Sequence, residues 1–199
     1  MEGLKLINRL GLPHPEWQFV KCSDELNIDK IQDYVGWTIR TVAFEDPLKK
    51  WKNVFDNWVP KRKVGAIVDD FQSQLDCDAI FVVYPSWKWR KAGAILSEGT
   101  RMTLEGVYGT INDLSRRGIV DARFSYRYHV MELTHGDKQF FTHSERDIAA
   151  HACRQIMGKN LIVEFAITSQ NKFIFFRLEK IEEAAKLLME KYGRQKNTR

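Results

Sequence analysis

The sequence predicts an α+β fold of mainly antiparallel sheets flanked by helices, and three patterns carry that expectation. Val64, Ile67, Val68, Phe71 and Leu75 recur at helical spacing. From residue 79 onward the period changes, and short apolar runs rich in β-branched and aromatic residues stand between glycine turns. With 199 residues, 44% of them apolar, the chain can bury a substantial core, as one large domain or two closely packed lobes.

Taken in order, Leu4, Ile7 and Leu10 share one face of a helix over 3–10, which Gly11-Leu12-Pro13 stops ahead of a strand at 17–20. A helix over 28–35 and a strand over 37–43 follow. The helix over 64–75 makes about three turns. Strands are expected at 79–84, 92–96, 102–108 and 124–133, turning near Gly99, Gly118 and Gly136. Ser144 with Asp147 resembles a capping box, opening a helix whose Ile148, Ala149, Ala152, Cys153 and Ile156 form one apolar side before Gly158 ends it. Strands at 161–168 and 172–178 surround Ser169-Gln170-Asn171, and a last helix runs over 179–192 into a polar tail.

The totals set limits. Apolar runs such as Phe173-Ile174-Phe175-Phe176 are far shorter than the roughly 20 residues that cross a bilayer. The opening Met1-Glu2-Gly3 lacks the basic start of a secretory signal, so the expected compartment is the cytoplasm. Cys22, Cys77 and Cys153 are odd in number and widely spaced, which fits a reducing compartment and small core thiols, and no histidine spacing suggests structural zinc. Residues 47–63 hold Lys49, Lys50, Lys52, Lys61, Arg62 and Lys63 against Asp56, which equals the whole net charge of +5. Such a stripe attracts phosphates of a nucleotide or of a nucleic acid alike.

Several residues stand out against their surroundings. Arg40 lies in a strand of Trp37, Ile39, Val42 and Ala43, so its guanidinium either meets an anion or pairs with Glu45, Asp46 or Glu164. Glu164 lies within Leu161-Ile162-Val163 and Phe165-Ala166-Ile167, where a carboxylate needs a partner: magnesium with nucleotide phosphate, or Arg177 on the adjoining strand. Gly106 and Gly109 either let backbone approach a phosphate or are bends. Trp87-Lys88-Trp89-Arg90-Lys91 interleaves aromatics with cations, as a hairpin edge or as a surface for single-stranded bases.

Ordered stretches over nearly the whole chain resemble the ATP-grasp-type nucleotide-binding domain of the phosphoenolpyruvate synthase and pyruvate phosphate dikinase family. Gly11-Leu12-Pro13-His14-Pro15 looks like the family's Gly-Leu-Pro-Val-Pro turn, and Arg40-Thr41-Val42-Ala43-Phe44-Glu45-Asp46 is similar to its Arg-Ser-Ser-Ala strand ending in Glu-Asp. Leu104-Glu105-Gly106-Val107-Tyr108-Gly109 resembles its Glu-rich, glycine-containing segment, and Ile162 to Ala166 with Phe173 to Arg177 its paired closing strands. The resemblance implies an ATP-grasp-like fold with an N-terminal lobe at 1–78 and a C-terminal lobe at 79–199. It implies ATP or ADP with magnesium as ligands, Glu164 as metal ligand, and Arg40, Glu45, Lys5, Glu105, Gly109 and Arg177 around the nucleotide. It further implies an ATP-dependent phosphotransferase or its nucleotide-binding subunit, with a separate phosphohistidine-carrier protein as a candidate partner. The sequence departs from the family pattern at the glycine-rich phosphate lysine, for which Lys5 is only a neighbour, and at the closing glutamine, where Phe175 or Phe176 stands. Two further readings therefore stay open: a basic RNA or single-stranded DNA binding module, and a non-catalytic regulatory subunit with a vestigial nucleotide site.

Overall fold

The computed structural model describes residues 1–27, 36–44, 54–75 and 79–182. Its helices are α1 (Glu2–Arg9), α2 (Val64–Gln74), α3 (Ile111–Arg117) and α4 (His143–Ile156). Its strands are β1 (Gln18–Val20), β2 (Trp37–Phe44), β3 (Phe55–Val59), β4 (Ala79–Pro85), β5 (Trp89–Glu98), β6 (Arg101–Tyr108), β7 (Ala122–Arg127), β8 (Val130–Gly136), β9 (Leu161–Thr168) and β10 (Phe173–Lys180). They form two compact units, one of Met1 with Pro15–Lys88 and one of Glu2–His14 with Trp89–Arg199. Every strand pairing among the described residues is antiparallel, which agrees with the expected α+β class.

The first unit holds a four-stranded sheet in the order β1-β4-β2-β3. The helical spacing read in the sequence is used here: Val64 and Val68 of α2 are fully buried, and with Ile67 and Phe71 they cover Ile39, Phe81 and Val83 of the sheet. Strand β3 was not foreseen, because the lysines around it mask its period. The helix expected at 28–35 lies outside the described residues, as does the last helix beyond 182; β10 itself continues through Glu179 and Lys180.

The second unit is built on a six-stranded sheet in the order β10-β9-β5-β6-β7-β8. One face is closed by α4 and by a run of aromatic rings, with Phe165 against Phe173 at 4.9 Å and Phe140 against Phe141 at 4.9 Å. Paired glycines make room for these rings. Gly93 and Gly106 face each other across β5 and β6 without a bulge, and a Cβ on Gly106 would sit 2.3 Å from the Phe140 ring. A Cβ on Gly93 would lie 2.3 Å from the Glu105 carbonyl oxygen and 2.4 Å from the Phe165 ring. Backbone on one side and a packed ring on the other leave no route for relief. Gly93→Ala is therefore expected to lower the unfolding free energy by about 1–3 kcal/mol, measured by urea denaturation with an unchanged slope.

Two sequence expectations are corrected here. The single strand over 124–133 is a hairpin, in which Tyr128 and His129 form a two-residue turn between paired Arg127 and Val130. The cap of α4 is Thr142, whose side chain accepts from the Glu145 N–H while the Glu145 carboxylate accepts from the Thr142 N–H. The cap forms at Thr142, and Glu145 also meets Lys91 beneath it. Of the cysteines, Cys153 is buried, which pushes its thiol up to about 12, whereas Cys22 is half-buried and Cys77 lies outside the described residues. Among the described residues no helix is long and apolar enough to cross a membrane.

Candidate functional site

The face of the six-stranded sheet that turns away from α4 carries a charged row. Strand register places Arg177 opposite Glu164, Glu164 opposite Ala94, Ala94 opposite Glu105, and Glu105 opposite Arg123. Directly paired residues project from the same side of a sheet, so these five side chains lie in line across five strands. The two carboxylates are separated only by the small Ala94, two strand spacings or roughly 10 Å apart at the backbone.

Each carboxylate has its own arginine. Arg177 donates from Nη1 to Glu164 Oε1 at 3.3 Å and from Nη2 to Glu179 Oε1 at 2.8 Å. Arg123 donates to Glu105 Oε1 through Nε at 2.7 Å and Nη2 at 2.6 Å. Burial alone would lower the Arg177 pKa, but the charges of Glu164 and Glu179 outweigh it and raise the value. Glu164 is the more enclosed acid, its side chain 15% exposed against 32% for Glu105.

A β-bulge puts Arg177 in the row. Phe175 pairs with Phe165, and the register then shifts so that Arg177, rather than Phe176, stands opposite Glu164. Without that extra residue the alternation along β10 would aim Arg177 at the closed face beside Phe165. Phe176, displaced by the bulge, meets the Trp89 ring edge-on at 5.2 Å. The structure therefore brings Glu164, Arg177 and Glu105 into one row and adds Arg123, which was missed. Arg123 was visible as one polar beat in Arg123, Ser125 and Arg127, yet its partner depends on register.

The other candidates are not part of this row. Arg40 is on β2 of the first unit, opposite Val82, with its guanidinium 5.8 Å from the centre of the Tyr84 ring. Burial raises the Tyr84 phenol pKa, while the charge and hydrogen bond of Arg40 work against it. Tyr84 also packs on Trp87 at 5.3 Å. Lys5 is exposed on α1. Gly109 has φ of 125° and leads into the Thr110–Asp113 capping box of α3, where an added Cβ would stand 2.9 Å from Asp113 Oδ2. Glu45 and Asp46 lie outside the described residues.

Among the described residues no three histidine, cysteine or acidic side chains gather as a metal site. The donor set of the row still suits magnesium, which is held by one or two carboxylates with water and phosphate completing its shell.

No family model matches the chain, and no curated protein matches it in sequence. Solved structures do. The D-alanyl-alanine synthetase A of Vibrio cholerae superimposes with a TM-score of 0.52 at 7% identity, over 89% of this chain and 54% of its own. The D-alanine-D-alanine ligase of Coxiella burnetii superimposes with a TM-score of 0.51 at 13% identity, over 89% of this chain and 45% of its own. An ATP-grasp ligase of Chryseobacterium gregarium, solved with ADP and a leader and core peptide, gives 0.48 at 12% identity over 88% and 49%. The chain thus spans about half the length of these proteins, and its fold is of the ATP-grasp type.

Proposed function

We propose that this chain binds ATP or ADP with magnesium on the charged row of its six-stranded sheet. What supports this is the alternation Arg177, Glu164, Ala94, Glu105, Arg123: two carboxylates for a divalent cation and two guanidiniums for phosphate oxygens, aligned over a small residue. The present ion pairs do not hold these groups fast. Partly exposed pairs are worth about 0–1 kcal/mol, so a cation and a polyphosphate, arriving together, can exchange partners with them at little cost. Glu164, the more enclosed acid, takes the metal, with Glu105 beside it. Arg177 and Arg123 turn to phosphate.

Phosphoryl transfer on such a site rests on positioning and on neutralising charge at the phosphate oxygens, which the guanidiniums supply without covalent chemistry. Bound magnesium would supply the remaining neutralisation. Within the ATP-grasp fold we place the activity with phosphotransfer of the phosphoenolpyruvate synthase type, on the stretches 11–15, 38–46 and 162–177, with a phosphohistidine carrier as the acceptor class. ADP is expected to bind in calorimetric titration only when magnesium is present, and Arg123→Gln is expected to weaken it about tenfold. No heat at any magnesium concentration would remove the proposal.

A second reading has its own observation. On edge strand β3, Phe55 is 66% and Trp58 43% exposed, directly ahead of Arg62 and Lys63. Exposed rings beside cations are how a surface stacks unpaired bases and follows their phosphates. RNA or single-stranded DNA binding there would fall steeply as salt rises, whereas magnesium-nucleotide binding would follow magnesium instead. Tight ADP binding without turnover would mark the regulatory alternative.

A further inference from the structure

The β7–β8 hairpin carries a feature that the nucleotide reading does not use. Thr100 and Arg101 at the start of β6, Arg127, Tyr128 and His129 at the hairpin tip, and Met157 at the end of α4 line a depression of about 390 Å³. That volume falls in the range of small-molecule sites.

Its charge is one-sided. The register of β6 and β7 runs to Met102 opposite Tyr126, so Arg101 and Arg127 come next to each other at the end of the sheet. No acidic residue lines the depression. Neither arginine has an ion pair or side-chain hydrogen bond among the described residues, and Glu98, which faces Arg101 across β5, makes none either. Like charges side by side on neighbouring strands repel, and the depression itself holds no counter-charge.

The tip is costly in a second way. Two-residue hairpin turns favour Asn-Gly, because both positions need left-handed backbone. Here Tyr128 and His129 adopt φ of 49° and 65°, and for a bulky tyrosine that region is an outlier. The residues that would relax the turn are missing, and in their place stand a ring 93% exposed and an imidazole set edge-on against the Tyr126 ring at 6.4 Å. Backbone held out of its preferred region points to side chains kept for what they contact.

We propose that this depression binds the phosphate group of a small phosphorylated molecule, distinct from the nucleotide on the charged row. The Arg101 and Arg127 forks and the His129 ring N–H donate to the phosphate oxygens, and Tyr128 with Met157 takes the body of the molecule. Phosphate is favoured over carboxylate because the depression holds two guanidiniums and no acid, a charge that a phosphate dianion balances and a carboxylate balances only by half.

The test is titration with phenyl phosphate, with inorganic phosphate and benzoate as comparisons. It is made at low salt on the wild type, on Arg101→Gln/Arg127→Gln, and on Arg177→Gln, following backbone amide shifts and heat. Saturable binding is expected in the wild type, tighter for phenyl phosphate than for phosphate or benzoate. The double variant is expected to lose at least about tenfold, and Arg177→Gln to bind as the wild type does. The double variant is expected to melt close to the wild-type temperature, since both side chains are exposed, and its melting curve separates lost binding from unfolding. No saturable binding, equal affinity in the double variant, or loss in Arg177→Gln alone would overturn the proposal. Benzoate binding as tightly as phenyl phosphate would overturn the choice of phosphate. ADP titration with magnesium is unaffected by the double variant, so the two sites stand or fall separately.

Discussion

Lys91→Met is expected to be the most destabilising single change on the closed face, costing about 3–5 kcal/mol in chemical denaturation. Lys91 is 3% exposed and donates to Glu145 Oε2 at 2.8 Å and to the Phe140 carbonyl oxygen. Glu145 is itself 5% exposed and also accepts from Arg90. Removing the lysine would leave a buried carboxylate with only the half-exposed Arg90 and the helix cap to hold it. Burial by itself pushes the Glu145 carboxyl up; hydrogen bonds from Lys91 and the Thr142 N–H, with the charges of Lys91 and Arg90, outweigh that and set it below its ordinary value of 4.5. A carboxyl depressed in the folded state binds protons more weakly than in the unfolded chain. Its contribution is therefore complete above about pH 4.5 and is lost as pH falls through the folded value. Wild-type stability should fall in that acid range. Glu145→Gln, which keeps an acceptor for the Thr142 N–H, should be less stable at neutral pH and should show a flatter decline below it. Equal acid slopes in the two proteins would refute the assignment.

This pair shows what a linear reading of residues can and cannot reach. The apolar beat of α2 was legible because helix period depends only on nearby residues, and Val64, Val68 and Phe71 need no partner to announce it. Lys91 looked like one cation of a surface edge, since nothing local reveals that Gly93 and Gly106 open space for Phe165 and Phe140 above it. The hairpin at 128–129 was hidden because its turn lacks the glycine or asparagine that normally marks one. Glu164 was conspicuous, as a lone acid in an apolar strand always is. Its neighbours in the row were not, because they depend on register across four strand pairings and on one bulge between Phe175 and Arg177. Residue 176 or 177 opposite Glu164 is a difference of one position, and it decides whether an arginine or a phenylalanine faces the acid.

The same bulge makes the functional prediction sharp. If Glu164 holds the cation and Arg177 the phosphates, their removal should separate magnesium dependence from nucleotide affinity. Glu164→Gln is expected to weaken ADP binding in saturating magnesium at least about tenfold, or 1.4 kcal/mol, and to abolish the gain that magnesium confers. Arg177→Gln should also weaken ADP, yet keep the magnesium dependence, because the Glu164 carboxylate remains. A plain structural pair behaves otherwise. Each single variant would then lose only up to about 1 kcal/mol of folding stability, and ADP titrations would not change. Glu164→Gln/Arg177→Gln distinguishes the two accounts again: a structural pair predicts stability recovered toward the wild type, whereas the nucleotide account predicts that neither affinity nor magnesium dependence returns. Unchanged magnesium dependence in Glu164→Gln would take the metal away from this row, whatever the fold around it.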